Sequence, residues 1–261
     1  MAAEKLIFDG ERVDDTGFGG LKLIQKPEEF CYGVDAVILA DFAARCAGVS
    51  LPSRARQAAH VTAVDLGTGT GIIPLILSHK TGWQQIIGVE VQEGSWERAV
   101  RNAELNGLEG RMKFIKGDVK EFGQSWGAEL KGKVDVVTSN PPYTQGLGGI
   151  KSANTAKAIA RHETTAGLED FIRCGASLLK NRGDFFMVHR PSRLVDICCM
   201  AREVGLEPKE LCFVSPDRDA AANILLVHMV KGGGRQLTIL EPLFVYESDG
   251  SYTEKLRECY R

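Results

Sequence analysis

The chain has 261 residues, 44% of them hydrophobic and 25% charged, the proportions of an ordinary globular protein with room for a core of normal size. Its formal net charge of −2 excludes a global basic field, so any surface for a polyanion has to be local. No apolar run approaches the roughly 20 residues of a spanning helix, residues 1–5 lack the shape of a signal peptide, and no two of the seven cysteines form a C-x-x-C pair; a cytoplasmic protein with reduced thiols, no membrane contact and no metal is expected.

Residues 4–28 read as a short β-rich stretch turning at Gly17, Gly19 and Gly20. Phe30-Cys31-Tyr32-Gly33-Val34-Asp35 precedes an apolar helix from Ala36 to Ala44, for which Asp35 fits an N-cap by type and position. Tyr32 and Asp35 are also placed to cover a ligand from the N-terminal side. Residues 48–60, small and polar, read as a solvated linker. From 61 to 188, apolar β-branched runs alternate with helical periods. Strands are predicted near 62–66, 85–89, 112–115, 134–138 and 183–188, and helices over 72–80, 93–106 and 168–180. A helix over 192–204 and strands at 210–214, 224–230 and 237–239 follow. This alternation describes an α/β chain with an open, largely parallel sheet, whose ligand crevice lies at the carboxyl ends of the strands.

Four strand ends carry chemistry. The first runs into Asp65-Leu66-Gly67-Thr68-Gly69-Thr70-Gly71 and then a helix, the opening of a nucleotide-binding βαβ unit. The spacing is G-x-G-x-G, whereas dinucleotide binders use G-x-G-x-x-G. The carboxylate of Asp65 repels a pyrophosphate but suits the ammonium of an amino-acid tail, which points to S-adenosylmethionine and away from a nicotinamide cofactor. Glu90, nineteen residues after Gly71, matches the acid that binds ribose hydroxyls, with Val91 beside it. Asp118, followed by Val119, ends the third strand and is able to accept from an adenine amino group.

The fourth strand end is Asn140-Pro141-Pro142-Tyr143. Two prolines cannot extend a strand, because each lacks an N–H and has a fixed φ. The chain therefore leaves the sheet abruptly. The Asn140 side chain and the Pro141 carbonyl are left as acceptors, with the flat face of Tyr143 beyond them. Two acceptors beside an aromatic face suit a planar amino group, on a base or on a carboxamide. Residues 144–167 follow directly. They hold Lys151, Lys157, Arg161 and His162 and read as a substrate-contacting lid. Lys180, Arg182, Arg190 and Arg193 add to this local excess of cations, which suits a phosphate backbone.

These blocks resemble a class I S-adenosylmethionine-dependent methyltransferase of the branch with an Asn-Pro-Pro-Tyr amino-methylation motif. The resemblance covers nearly the whole chain. Phe30–Ala36, Asp65–Gly71, Gly88–Gln92, Asn140–Tyr143, Ala160–Glu163 and the ending from Pro242 through Thr253 look most like the bacterial tRNA1(Val) adenine-37 N6-methyltransferases. It implies a Rossmann-like fold with a mostly parallel seven-stranded sheet, helices on both faces and a short N-terminal β-rich extension. Residues 1–47 would be the extension with a cofactor-covering helix, and 48–261 the methyltransferase domain. It also implies S-adenosylmethionine as cofactor and tRNA as partner. Asn140, Pro141, Pro142 and Tyr143 would be catalytic. Tyr32, Asp35, Asp65, Gly67, Thr68, Gly69, Gly71, Glu90, Val91, Asp118, Val119 and Asn140 would hold the cofactor, and Lys151, Lys157, Arg161 and His162 the RNA. Methylation of a protein glutamine, of guanine N2 in rRNA or of adenine in DNA remains open, as does a non-catalytic module that binds the cofactor and RNA.

Overall fold

The computed structural model describes residues 6–29, 31–47, 60–143 and 166–261. The chain enters through a hairpin, β1 (Arg12–Asp15) and β2 (Lys22–Gln25), followed by helix α1 (Val34–Cys46). Strand β3 (Thr62–Leu66), helix α2 (Ile72–Lys80), strand β4 (Gln85–Glu90), helix α3 (Glu93–Leu105) and strand β5 (Met112–Lys116) come next. Strand β6 (Val134–Ser139), helix α4 (Leu168–Leu178), strand β7 (Leu179–His189), helix α5 (Leu194–Glu203), strand β8 (Leu206–Ser215) and strand β9 (Ile224–Lys231) complete the alternation. Two short strands, β10 (Thr238–Ile239) and β11 (Leu243–Phe244), and helix α6 (Glu254–Cys259) close the chain.

The seven long strands after the hairpin form one sheet in the order β5-β4-β3-β6-β7-β9-β8. Strands β3 to β7 are parallel, and β9 is antiparallel to both neighbours. This is the expected seven-stranded arrangement. The two-residue strands β10 and β11 are an addition, both pairing with β8.

Side chains alternate between two hydrophobic layers. Phe185 and Met187 of β7 face one cluster, whereas Phe186 and Val188 face the other. Leu225 and Leu226 of β9 divide in the same way, the period of two that a pleated strand imposes. Ile172 of α4 and Ile197 of α5 cover the first face. The second is covered by α1 and α2, and Ala36 to Ala43 of α1 are all buried. Burial on both faces is what a parallel sheet of this kind requires.

Some boundaries differ from the sequence reading. Strand β7 begins at Leu179, not 183, because Arg182 takes a left-handed φ of 65° and the register with β6 shifts between Val134 and Val136. That irregularity absorbs Asn181, Arg182 and Gly183, which read locally as a turn. Strand β8 begins at Leu206 despite Pro208, which sits at a register shift against β9 where its missing N–H is tolerated. Helix α1 starts at Val34 with Gly33 as N-cap, so Asp35 is not the cap but lies in the first turn.

At the antiparallel end, His228 of β9 lies between two carboxylates. Its Nε2 is 2.9 Å from Asp184 Oδ1 and its Nδ1 is 2.9 Å from Glu210 Oε2. Its ring stacks on Phe186 with centroids 4.4 Å apart. Burial opposes the imidazolium charge, but the two carboxylates outweigh it and hold the pKa above the usual histidine value. The N-terminal hairpin is fastened to α3 by another ion cluster. Arg101 donates to both oxygens of Glu11, at 2.6 and 2.7 Å, and Arg98 pairs with Glu29.

Candidate active site

Strand register brings three of the four predicted strand ends flush. Leu66 pairs with Val89 on one side and with Ser139 on the other. The glycine turn after β3, Glu90 at the end of β4 and Asn140 beyond β6 therefore share one crevice mouth. Ser139 fixes the junction by donating its hydroxyl to Leu66 O at 3.0 Å.

The turn is anchored to β4. The amides of Gly67 and Thr68 donate to Val89 O at 2.9 and 3.0 Å, and that of Gly69 to Glu90 Oε2 at 2.9 Å. The other oxygen of Glu90 accepts from Gln92 N at 2.8 Å, so its carboxylate is held in a fixed orientation. Gly88 permits this close approach, since a Cβ there would lie 2.5 Å from Phe114 and 2.8 Å from Thr68 Cγ2. Gly69 differs. Its φ is +56° and a Cβ would meet nothing within 4 Å, so it presents bare backbone to open space, as close ligand approach demands.

Asp65 is 1% exposed. Its Oδ1 accepts from the Thr138 hydroxyl at 2.7 Å, while Oδ2 and the nearby Thr68 Oγ1 are buried without a hydrogen-bond partner. Burial pushes the Asp65 carboxyl up to about 7, against the opposing pull of the Thr138 and Thr68 hydroxyls, the latter too poorly aligned to satisfy Oδ2. An orphaned buried acceptor calls for an explanation, and a ligand ammonium supplies one. Together with the fixed carboxylate of Glu90, the open face at Gly69 and Val91, which is 56% exposed just past β4, these groups fit S-adenosylmethionine.

Beyond β6, Asn140 is half-buried, Pro141 buried, Pro142 exposed and Tyr143 half-buried. Three residues hold Tyr143. Its hydroxyl donates to Asp35 Oδ2 at 2.8 Å, its ring lies 5.1 Å from that of His189, and the Arg190 guanidinium sits 4.7 Å from its centroid. Burial and the Asp35 charge push the phenol pKa up, so Tyr143 stays neutral. Arg190 is tethered in turn by a 2.9 Å bond to Asn223 O. His189 is buried, and burial together with Arg193 and Arg190 pushes its pKa down to about 4. Its Nδ1 accepts from Arg190 N at 2.8 Å. The ring is therefore neutral, with its proton assigned to Nε2.

The predicted residues are placed unevenly. Asp35 reaches Tyr143, while Tyr32 packs against the cluster that contains α1. Asp118 commits one oxygen to its own turn, accepting from Lys120 N at 2.9 Å, and Val119 is buried. Lys151, Lys157, Arg161 and His162 lie outside the described residues. Lys180 and Arg182 sit at the start of β7 and Arg190 and Arg193 beyond its end, so the four cations do not converge on Tyr143. Sequence reasoning missed His189 as a site residue and took Arg190 as one of the cations for a phosphate backbone. Both lie at the carboxyl end of the fifth strand, where the rule applied to the other four would have found them. Among the described residues, no cluster of three or more His, Cys, Asp or Glu is arranged for a metal, and no helix is long and apolar enough to cross a membrane.

Comparison with known proteins gives the same answer. Residues 57–196 match the family described as methyltransferase domain, more than half of the chain. A tRNA1(Val) (adenine(37)-N6)-methyltransferase from Porphyromonas gingivalis is 26% identical over 247 residues, covering 86% of this chain and 89% of that protein. One from Parabacteroides distasonis is 28% identical over 169 residues, 64% of this chain and 67% of that protein. Among solved structures, a predicted O-methyltransferase from Agrobacterium tumefaciens superposes with a TM-score of 0.65 at 21% identity, over 87% of this chain and 95% of that one. The orphaned acceptor, the glycine turn and the strand order thus converge with an independent sequence match: the chain belongs to the methyltransferase-domain family, as a class I enzyme whose cofactor is S-adenosylmethionine.

Proposed function

We propose that the protein methylates the exocyclic N6 of an adenine in tRNA, at position 37 of tRNA1(Val). The observation that carries the reading is the exit of Asn140-Pro141-Pro142-Tyr143 from β6 directly beside the glycine turn, across the Leu66–Ser139 pair. The relatives' activity supports the choice of adenine and of tRNA.

When bound, S-adenosylmethionine supplies an electrophilic methyl group. Asp65, Gly67, Thr68, Gly69, Gly71, Glu90, Val91, Asp118 and Val119 are proposed to hold it, with Tyr32 and Asp35 on the N-terminal side. Asn140 Oδ1 and the Pro141 carbonyl accept the two N–H bonds of the amine and turn its lone pair towards the methyl. Each such bond is worth only about 0.5–1.5 kcal/mol net. Orientation is the larger lever, up to roughly 7–11 kcal/mol in favourable cases. Tyr143 stacks on the base, worth about 1–3 kcal/mol, and its bond to Asp35 keeps the ring from turning. No strong base is needed, since the proton leaves after transfer; neutral His189, with its pKa near 4, fits a donor better than a base. Residues 1–47 are read as an extension that covers the cofactor, and Lys151, Lys157, Arg161 and His162 as contacts to the RNA backbone.

Incubating the protein and labelled cofactor with separate pools of tRNA, rRNA, DNA and protein, followed by nucleoside mass spectrometry of the tRNA, tests the reading. N6-methyladenine is expected. Label only in N2-methylguanine, in DNA or on a protein glutamine would overturn the tRNA adenine assignment.

A further inference from the structure

Two asparagines on α3, Asn102 and Asn106, stand one helical turn apart and face the edge of β2. Asn106 accepts from Lys22 N and donates to Lys22 O, both at 2.8 Å. Asn102 does the same to Ile24, accepting from its N–H at 2.6 Å and donating to its carbonyl at 3.3 Å. Four residues of helix rise about 6 Å and two of strand about 6.6 Å, so the side-chain amides stand in for a neighbouring strand.

The two residues then diverge. The remaining bond of Asn106 is local, to Asn102 O at 2.7 Å. Asn102 Nδ2 also donates to Thr70 O at 2.9 Å, inside the glycine turn. Asn102 is 0% exposed. The turn is thus pinned from two sides, at Gly69 N by Glu90 Oε2 (2.9 Å) and at Thr70 O by Asn102. Its three glycines all have positive φ, at 71°, 56° and 85°. Such a segment loses much freedom when ordered, and fixing it in advance removes that cost from ligand binding.

We propose that Asn102 is a positioning residue for the cofactor turn, and that through it the N-terminal hairpin sets the affinity for S-adenosylmethionine. The proposal rests on reading Gly67–Gly71 as the cofactor turn. Asn106, which holds the same hairpin but not the turn, is the internal control.

Calorimetry with S-adenosylmethionine on the full chain tests it. Asn102→Ala should raise Kd about tenfold, the equivalent of one well-placed buried hydrogen bond, with KM for tRNA unchanged. Asn102→Asp, which turns a donor into an acceptor facing two carbonyls, should do at least as much. Asn106→Ala should stay within about twofold while lowering thermal stability. In the wild-type protein, the cofactor should slow amide hydrogen exchange at Lys22–Gln25 as well as in the turn, a readout that needs no variant to fold. Equal affinity in Asn102→Ala and wild type, or equal loss in Asn102→Ala and Asn106→Ala, would reduce Asn102 to a hairpin anchor. Exchange protection confined to the turn and Glu90–Gln92 would do the same. Failure of the wild type to bind S-adenosylmethionine would instead strike the reading of the turn itself.

Discussion

At the antiparallel end of the sheet, His228 is bonded through both ring nitrogens to Asp184 and Glu210. At the parallel end Asp65 is as deeply buried, yet one of its oxygens has no partner. Both sites carry titratable groups moved off their ordinary values, upward in each case. The difference lies in saturation. A network that satisfies its own members is complete in the empty protein and serves the fold. A buried acceptor left over costs free energy until something arrives to meet it, and its place at a strand end, beside a bare glycine, says where.

The largest effect should follow from closing that place. Gly69→Val puts a branched side chain into the open face and asks it to adopt a left-handed φ. S-adenosylmethionine affinity should fall roughly 100-fold by calorimetry, from about 3 kcal/mol of steric conflict. The fold should lose no more than about 1–2 kcal/mol. Asn140→Ala should lower kcat by roughly 100-fold, as for loss of one preorganised group at a reacting centre. Melting temperature should be preserved, since Asn140 is half-buried and outside the sheet's ladder, and cofactor affinity should fall far less than kcat; near-wild-type turnover would show that the tetrapeptide is only a turn.

The saturated end should respond in the opposite way. His228→Leu leaves Asp184 and Glu210 without the imidazolium and should cost about 3 kcal/mol in denaturant unfolding, with turnover per folded molecule intact. Its pH dependence has a defined sign. Because the folded pKa is raised, the stabilisation from His228 is complete below the ordinary histidine value, about 6.5, and is lost as pH rises through the folded pKa. Unfolding curves across that window should slope in the wild type and lose this component in the variant.

The smallest effect belongs to Asp65. Its carboxyl, pushed up to about 7, carries the same sign: in ligand-free protein its contribution is lost as pH rises from the ordinary carboxyl value through 7. An ammonium ligand favours the ionised form. Cofactor affinity should therefore improve as pH rises from about 6 to 7.5, by up to about tenfold over the window, levelling off above 7, and Asp65→Asn should flatten the profile. A flat wild-type profile would detach Asp65 from the cofactor.

Much of this was readable from residues alone, for local reasons. The runs that became β3, β4 and β6 are rich in apolar β-branched residues and are ended by glycine, acid or proline, so each of these strand ends was legible together with the residues it carries. Asp35 was legible as an acid at the helix start, though read as its cap, and not as the partner of Tyr143, because that bond spans 108 residues. The true start of β7 was hidden by Asn181-Arg182-Gly183, which signals a turn unless a neighbouring strand supplies the bulge. His189 was missed by a strand ended one residue early, and Arg190 was read as one of a group of cations for a phosphate backbone, not as a neighbour of Tyr143. Asn102 was not singled out, since nothing in its own neighbourhood announces a strand edge opposite.

Strand β8 ends the sheet, and its outer side is not bare. Thr238 and Ile239 pair beside Glu210 and Leu211, Leu240 N donates to Leu211 O at 2.8 Å, and Leu243 and Phe244 pair beside Val214 and Ser215. An uncovered strand of this apolar character is a template on which a second molecule can extend the sheet. The segment after Gly234 thereby acts as a selvedge. It also reaches inward, where Leu243, Val245, Leu256 and Cys259 join the core packed on α1, so a chain deprived of it would lose packing there as well as gain an open edge.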